Sequence, residues 1–130
     1  MAQWPLGLPL PTDPSWGRRV AAWVSHLLPG TILTACPALA EYPRAAGRVA
    51  WVYWRAVQMA RGRDGNGPLS MSAVIGPDLL VGLLPDDDVA LVRAIQVPVD
   101  TATPARVLER MLDELAAVGP HLPRHFLGGG

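Results

Sequence analysis

Apolar residues recur with the period of an α-helix across residues 14–28. When these residues are placed at about 100° per residue, two opposite faces separate. One face carries the apolar side chains Trp16, Val20, Trp23, Val24 and Leu27. The other face carries Arg18, Arg19, Ser25 and His26. The pattern therefore predicts an amphipathic first helix whose apolar face lies in the core.

Local residues indicate both ends of this helix. We expect Asp13 to accept hydrogen bonds from the first free N–H groups, and Pro14 suits the first helical position. Pro29 and Gly30 follow the last apolar residue directly, which predicts the end of the helix there.

The same region has an alternative interpretation as a lipoprotein export signal. Two arginines precede the apolar run, and residues 33–36, LTAC, are similar to a bacterial lipobox. A signal core is apolar on all sides, whereas residues 16–28 separate polar from apolar positions. His26 and Pro29 interrupt the run, which also argues against a membrane span of about 20 residues. We expect the helix and keep a lipoprotein anchored through Cys36 as the alternative.

Residues 42–61 combine strand-like composition with a helical pattern. Val, Trp and Tyr at positions 49–54 are typical of a strand. On a helical wheel, however, one stripe contains Ala45, Val49, Val52, Ala56 and Ala60, with Tyr53 beside it. The opposite stripe contains Arg44, Arg48, Arg55 and Gln58. We predict a helix that begins near Pro43 and ends at Gly62, with Trp51 among the arginines.

The central part of the chain has shorter apolar runs between residues that favour turns. Residues 62–68, GRDGNGP, predict a turn. Residues 69–75, 79–84 and 89–99 are apolar runs bounded by Gly, Pro and Asp, which predicts an antiparallel meander of about three strands. Alternatively, the three aspartates at 86–88 cap a helix that runs over residues 89–96.

A second clear helical pattern begins at Thr103 and Pro104 and ends at Gly119 and Pro120. Its apolar positions are Val107, Leu108, Met111, Leu112 and Leu115, and its exposed face carries Arg106, Glu109, Arg110, Asp113 and Glu114. The expected fold class is therefore α+β, with two N-terminal amphipathic helices, a small antiparallel sheet and this C-terminal helix. We assign residues 13–119 to one globular domain and residues 120–130 to an irregular tail.

Residues 1–12 form an apolar, proline-rich arm. Pro5, Pro9 and Pro11 remove backbone donors and favour extended geometry. The apolar side chains of the arm are Trp4, Leu6, Leu8 and Leu10. We expect this arm to dock on its own domain or on a neighbouring subunit, and a proline-rich ligand for another domain is the alternative.

Composition excludes several classes of function. Eleven basic and eleven acidic residues leave no net charge, so the chain lacks the broad positive field of a nucleic-acid-binding protein. All basic residues are arginines, which excludes the lysine of a P-loop, a Schiff base or a pyridoxal phosphate site. One cysteine excludes an intramolecular disulfide and a cysteine-rich zinc site. Heavy use of Ala, Arg, Gly and Pro is typical of a GC-rich bacterial genome.

Three groups of residues are candidates for chemistry, and each has a simpler interpretation. His121 and His125 have the spacing of a helical metal pair, but the prolines around them disfavour that helix. The aspartates at 86–88 lack the spacing and the glycine of a calcium loop. Cys36 with His26 as its base has no supporting motif, and a lone cysteine is usually a small core residue. We therefore predict no catalytic, cofactor-binding or metal-binding residue.

The sequence favours a non-catalytic protein–protein interaction module: an adaptor, chaperone-like protein or assembly subunit that self-associates. More apolar surface is present than the core of one small domain needs. The candidate interaction residues are Trp4, Leu6, Leu8, Leu10, Arg48, Trp51, Trp54 and Arg55. The expected partner is another protein or a second copy, without nucleic acid, cofactor or membrane span, in the cytoplasm. The alternatives are the exported lipoprotein and a small enzyme that uses His26 or the aspartates.

Overall fold

The computed structural model describes residues 4–5, 7–61, 68–76 and 78–124. The helices in this part are α1 Trp16–Leu27, α2 Gly30–Ala35, α3 Pro43–Ala60, α4 Met71–Val74, α5 Asp86–Arg93 and α6 Ala105–Val118. Two 3-10 turns cover Pro37–Glu41 and Gly119–His121, and two short strands are β1 Leu69–Ser70 and β2 Gln96–Val97. The fold is α+β, as the sequence predicts, and helices dominate it.

The first helix confirms the predicted amphipathic helix, but it begins at Trp16, so Pro14 lies in the preceding turn and not at the first helical position. Trp16, Val20 and Val24 are buried, while Trp23 and Leu27 are partly buried against the core. Asp13 does not cap the helix, because its Oδ1 atom accepts from the N and Oγ atoms of Ser15, at 2.8 and 2.6 Å. The Asp13 side chain therefore stabilises the turn that precedes α1.

The long helix α3 occupies the centre of the fold. It packs against α1 on one side and against α6 on the other, so its buried face is wider than the predicted stripe. The helix buries Tyr53, Trp54 and Val57, whereas Val52 is only partly buried. The polar atoms of the two aromatic residues remain bonded: Tyr53 donates to the carbonyl of Pro98 at 3.0 Å, and Trp54 Nε1 donates to that of Leu27 at 2.7 Å.

The predicted three-stranded meander is wrong. The described sheet has two antiparallel strands, with Leu69 opposite Val97 and Ser70 opposite Gln96. Residues 71–74 form a helical turn, residues 78–83 form hydrogen-bonded turns, and residues 86–93 form α5. The alternative of a helix over residues 89–96, capped by the three aspartates, was closer, although α5 begins at the aspartates and ends at Arg93. Three carboxylates in its first turn complement the positive end of the helix dipole, which outweighs the strand propensity of the following valines. The turn predicted for residues 62–68 lies outside the described residues, except for Pro68.

The last helix is confirmed, and the segment after it is more ordered than the sequence suggests. α6 buries the apolar residues Leu108, Leu112, Leu115 and Val118. Beyond the 3-10 turn, Leu122 is buried against Trp16 and Val20. The backbone N–H of Arg44 donates to the carbonyl of Pro123 at 3.0 Å, so residues 119–123 pack along the beginning of α3.

The N-terminal arm docks on its own domain. The rings of Trp4 and Trp16 stack with centroids 5.5 Å apart, and Trp4 meets His121 edge-on at 5.7 Å. Trp4 Nε1 also donates to the carbonyl of Leu8 at 3.1 Å. Leu10 remains 65% exposed, and residue 6 lies outside the described part. None of the described helices is both long enough and apolar enough to cross a membrane.

Candidate functional site

A cleft of about 610 Å³ lies between α3 and the C-terminal end of α6. The α3 wall is formed by residues that share one helical face, namely Arg44, Gly47, Arg48, Trp51 and Val52. The opposite wall is formed by Leu115, Ala116, Gly119, Pro120 and Leu122, and Leu79 completes the lining. This volume lies within the range of about 300–1,000 Å³ that is usual for ligand pockets.

Gly47 allows the two walls of the cleft to approach each other. A Cβ atom added at this position would overlap Cδ1 of Leu122 and would lie 3.7 Å from Cγ2 of Val24. Glycine in the middle of a helix costs stability, so its presence here is explained by the close packing of Leu122. The base of the cleft therefore depends on a residue without a side chain.

Two guanidinium groups line the cleft, and backbone carbonyls hold both of them. Arg44 Nε donates to the carbonyl of Leu122 at 3.0 Å. Arg48 Nη1 donates to the carbonyl of Leu79 at 3.2 Å. Over the described ranges, neither arginine forms an ion pair; the pairs found there are Arg61–Asp100 and Arg110–Glu114. The positions of Arg44 and Arg48 are thus restrained, while no described carboxylate neutralises their positive charges.

The charged residues of α3 are all positive. The helix contains Arg44, Arg48 and Arg55 and no acidic residue. Arg55 is exposed and donates to Oε1 of Gln58 at 3.1 Å. Trp51 is 40% exposed between these arginines. We call the exposed surface formed by Arg48, Trp51, Arg55 and Met59 the α3 face.

The structure brings together some of the predicted interaction residues and separates others. Arg48 and Trp51 lie in the cleft wall, and Arg55 follows them on the same exposed helix surface. Trp54 is 8% exposed and lies in the core, so it does not belong to this surface. Trp4 and Leu8 of the arm pack against the cluster of Trp16 and Val20 instead, whereas Leu10 is exposed.

Sequence reasoning missed several residues of the cleft. Leu79, Leu115 and Leu122 come from distant parts of the chain, and no local pattern indicates that they meet. Gly47 did carry a signal, because an isolated glycine inside a helical pattern often marks close packing. That signal indicated a close contact in the second turn of α3 without identifying its partner.

The candidate catalytic cysteine is fully buried. Burial raises the pKa of the Cys36 thiol, and the nearby charge of Asp88 raises it further. Its Sγ atom lies 3.9 Å from the carbonyl oxygen of Asp88. His26 is exposed on α1. A thiol in this environment remains protonated at neutral pH and is a poor nucleophile.

The candidate metal ligands do not form a site in the part of the chain that the structure describes. No group of three His, Cys, Asp or Glu residues there could hold a metal ion. The aspartates at 86–88 form the first turn of α5, and His121 lies in the 3-10 turn after α6. His125, the other member of the predicted pair, lies outside the described residues.

Asp100 joins the end of α3 to the loop before α6. Burial alone would raise the pKa of its carboxyl group. The N–H groups of Thr103 and Ala102, at 2.8 and 3.1 Å from Oδ1, and the guanidinium of Arg61 at 3.0 Å together hold this pKa below its usual value. These contacts tie the C-terminal end of α3 to the loop before α6.

No protein-family model, no curated protein and no solved structure matches this chain. The geometry of the cleft and the charges around it are therefore the basis for assigning a function.

Proposed function

We propose that this protein is a non-catalytic interaction module that self-associates through the α3 face and the adjoining cleft. The observation that carries the proposal is the exposed Trp51, which lies between two arginines that no described carboxylate pairs with. Tryptophan and arginine are among the residues enriched at positions that dominate binding energy at protein interfaces.

The exposed part of Trp51 is large enough to contribute measurably to an interface. A tryptophan side chain has about 250 Å² of surface, so 40% exposure leaves about 100 Å² in contact with water. At about 25 cal/mol per Å², its burial would contribute about 2.5 kcal/mol before the costs of association. Met59, on the same surface, is also exposed.

The chemistry of the cleft supports binding rather than catalysis. The described residues that line it provide arginine, apolar and glycine groups, and they provide no carboxylate, imidazole, thiol or hydroxyl group. Arginine remains protonated in proteins, so it cannot transfer a proton as a general base. What this lining offers is apolar contact and attraction for negative charge.

Anchoring as a lipoprotein through Cys36 is less compatible with this fold. Cleavage before Cys36 would remove α1 and α2, which supply Val20, Val24 and Ile32 to the core. The Cys36 side chain would also have to leave the interior.

Sedimentation velocity over a wide range of protein concentration tests the proposal. The wild-type protein should self-associate, and Trp51→Ala should weaken association at least tenfold, which corresponds to about 1.4 kcal/mol. Trp51→Phe retains an aromatic ring and should weaken it less. Arg106→Ala, which removes an exposed arginine from α6 outside the cleft, is the control and should have no effect. A wild-type protein that remains monomeric, or a Trp51→Ala variant that associates normally, would contradict the proposal.

A further inference from the structure

The exposed face of α5 combines negative charge with an apolar side chain. Asp87, Ala90, Leu91 and Ala94 are all exposed at helical spacing, whereas Val92 faces the core. Leu91 is 49% exposed, which makes it one of the few large apolar side chains in contact with solvent among the described residues. Favourable interaction with the helix dipole explains the aspartates in the first turn of α5, but it does not explain an exposed leucine one turn later.

Charge is separated along this neutral chain. The segment 78–88 contains four aspartates and no basic residue. α5 itself carries three aspartates in its first turn and Arg93 in its last turn, whereas α3 contains three arginines and no acidic residue. Two copies therefore repel each other when like surfaces meet and attract each other when α5 of one copy meets α3 of the other. Complementary charges of this kind determine which surfaces pair and in which register.

The spacing of charged and apolar groups also matches between the two helices. On α5, Asp87 precedes Leu91 by four residues, which is about 6 Å along the helix axis. In the cleft wall of α3, Arg48 precedes Val52 by four residues and Trp51 by three. One docking position therefore places a carboxylate beside a guanidinium and a leucine against the apolar wall.

We propose that α5 of one copy docks into the cleft of a second copy, with Leu91 between Trp51 and Leu115 and with Asp87 paired to Arg48. This inference rests on the proposed function and adds the identity of the surface that the α3 face binds. The arrangement is a helix in a groove, in which an apolar anchor supplies the contact area and an acidic residue selects the register.

Because each copy carries both surfaces, two variants with different surfaces blocked can complement each other. Arg48→Glu reverses the charge in the cleft, and Asp87→Arg reverses the charge on α5; both side chains are exposed. Each variant alone should self-associate at least tenfold more weakly than the wild type, as measured by sedimentation velocity. An equimolar mixture should associate again, because the acidic α5 of the first variant meets the unaltered cleft of the second.

Control variants separate this inference from the proposed function. Arg106→Glu changes the net charge equally on α6 and should leave association unchanged. Leu91→Ala removes the apolar anchor without any change of charge and should also weaken association. This second variant guards against a folding defect in Asp87→Arg.

If Asp87→Arg and Leu91→Ala both associate like the wild type while Trp51→Ala does not, α5 is not the partner surface, although the α3 face remains the interface. A mixture that fails to associate would overturn the inference as well. A monomeric wild-type protein would instead overturn the proposed function itself.

Discussion

Replacing Gly47 with alanine tests the close packing that forms the base of the cleft. Gly47 lies within the 18-residue helix α3, and a methyl group there would overlap Cδ1 of Leu122. Leu122 is buried against Trp16 and Val118, so it cannot move aside without loss of those contacts. The substitution therefore has two opposing effects on stability: it increases helix propensity, and it introduces a steric conflict with Leu122.

The two opposing effects have comparable magnitudes. Alanine is favoured over glycine inside a helix by about 1 kcal/mol. Overpacking a well-filled site costs about 1–3 kcal/mol, so Gly47→Ala should destabilise the protein by about 0–2 kcal/mol. Leu122→Ala should cost about 2–5 kcal/mol by itself. In that background the overlap is removed, and Gly47→Ala should then stabilise the protein by about 1 kcal/mol.

A double-mutant cycle measured by urea unfolding with far-ultraviolet circular dichroism checks this change of sign. The measurements belong at low protein concentration, because self-association would add stability of its own. Gly119→Ala is the matched control, since a Cβ atom there meets nothing within 4 Å and its φ of −47° is helical. It should stabilise the protein by about 0.4–1 kcal/mol. If Gly47→Ala stabilises the wild type as much as it stabilises Leu122→Ala, the close packing is refuted.

Three further predictions concern the core and its charged junction. Trp54→Phe should cost about 1–3 kcal/mol in urea unfolding, because it leaves the partly buried carbonyl of Leu27 without its donor. Trp51→Phe should change stability by less than about 0.5 kcal/mol, and equal costs for the two variants would contradict this assignment. A thiol reagent should label Cys36 slowly in the folded protein and rapidly after denaturation, since burial raises the pKa of the thiol. Rapid labelling of the folded protein would refute burial of Cys36. Because the folded pKa of Asp100 is lowered, its stabilising effect is present above its unfolded pKa of about 3.9 and is lost as the pH falls through the folded value. Asp100→Asn should therefore lower stability at neutral pH and reduce the loss of stability in acid, and an unchanged acid profile would contradict this role.

The longest elements were predictable because their hydrophobic patterns are long. The patterns of α1, α3 and α6 each span three or more helical turns and end at Pro or Gly. The width of the buried face of α3 was not predictable, since it depends on two helices that pack from different sides. Sequence periodicity therefore indicates an element, while tertiary packing decides which of its residues are buried.

The central segment was harder to predict because its apolar runs are short. A run of four to eight apolar residues is compatible with a strand or with a buried helical turn. Pro85 and the three aspartates favoured the helix, and this signal was present in the sequence as the less favoured alternative. The strand propensity of the valines favoured the meander, whereas the residues that start a helix determined the structure.

The cleft was only partly predictable. Arg48 and Trp51 were identifiable because both lie on the polar stripe of a predicted helix, where an exposed tryptophan is unusual. Leu79 and Leu122 reach the cleft through contacts between residues far apart in the chain, such as the bond from Arg44 Nε to the Leu122 carbonyl. No local pattern encodes such pairings, so the site required the fold.

The most direct test of self-association through the α3 face is a dilution series followed by ¹⁵N–¹H correlation spectra of the tryptophan indole groups. Trp51 and Trp54 lie on the same helix, one exposed in the cleft wall and the other buried with its Nε1–H bonded to Leu27. Assignment of each resonance by substitution with phenylalanine makes the buried indole an internal control. We predict that the Trp51 resonance moves with protein concentration while the Trp54 resonance stays in place. A Trp51 resonance that does not move over the range of protein concentration in which the protein associates would contradict self-association through the α3 face.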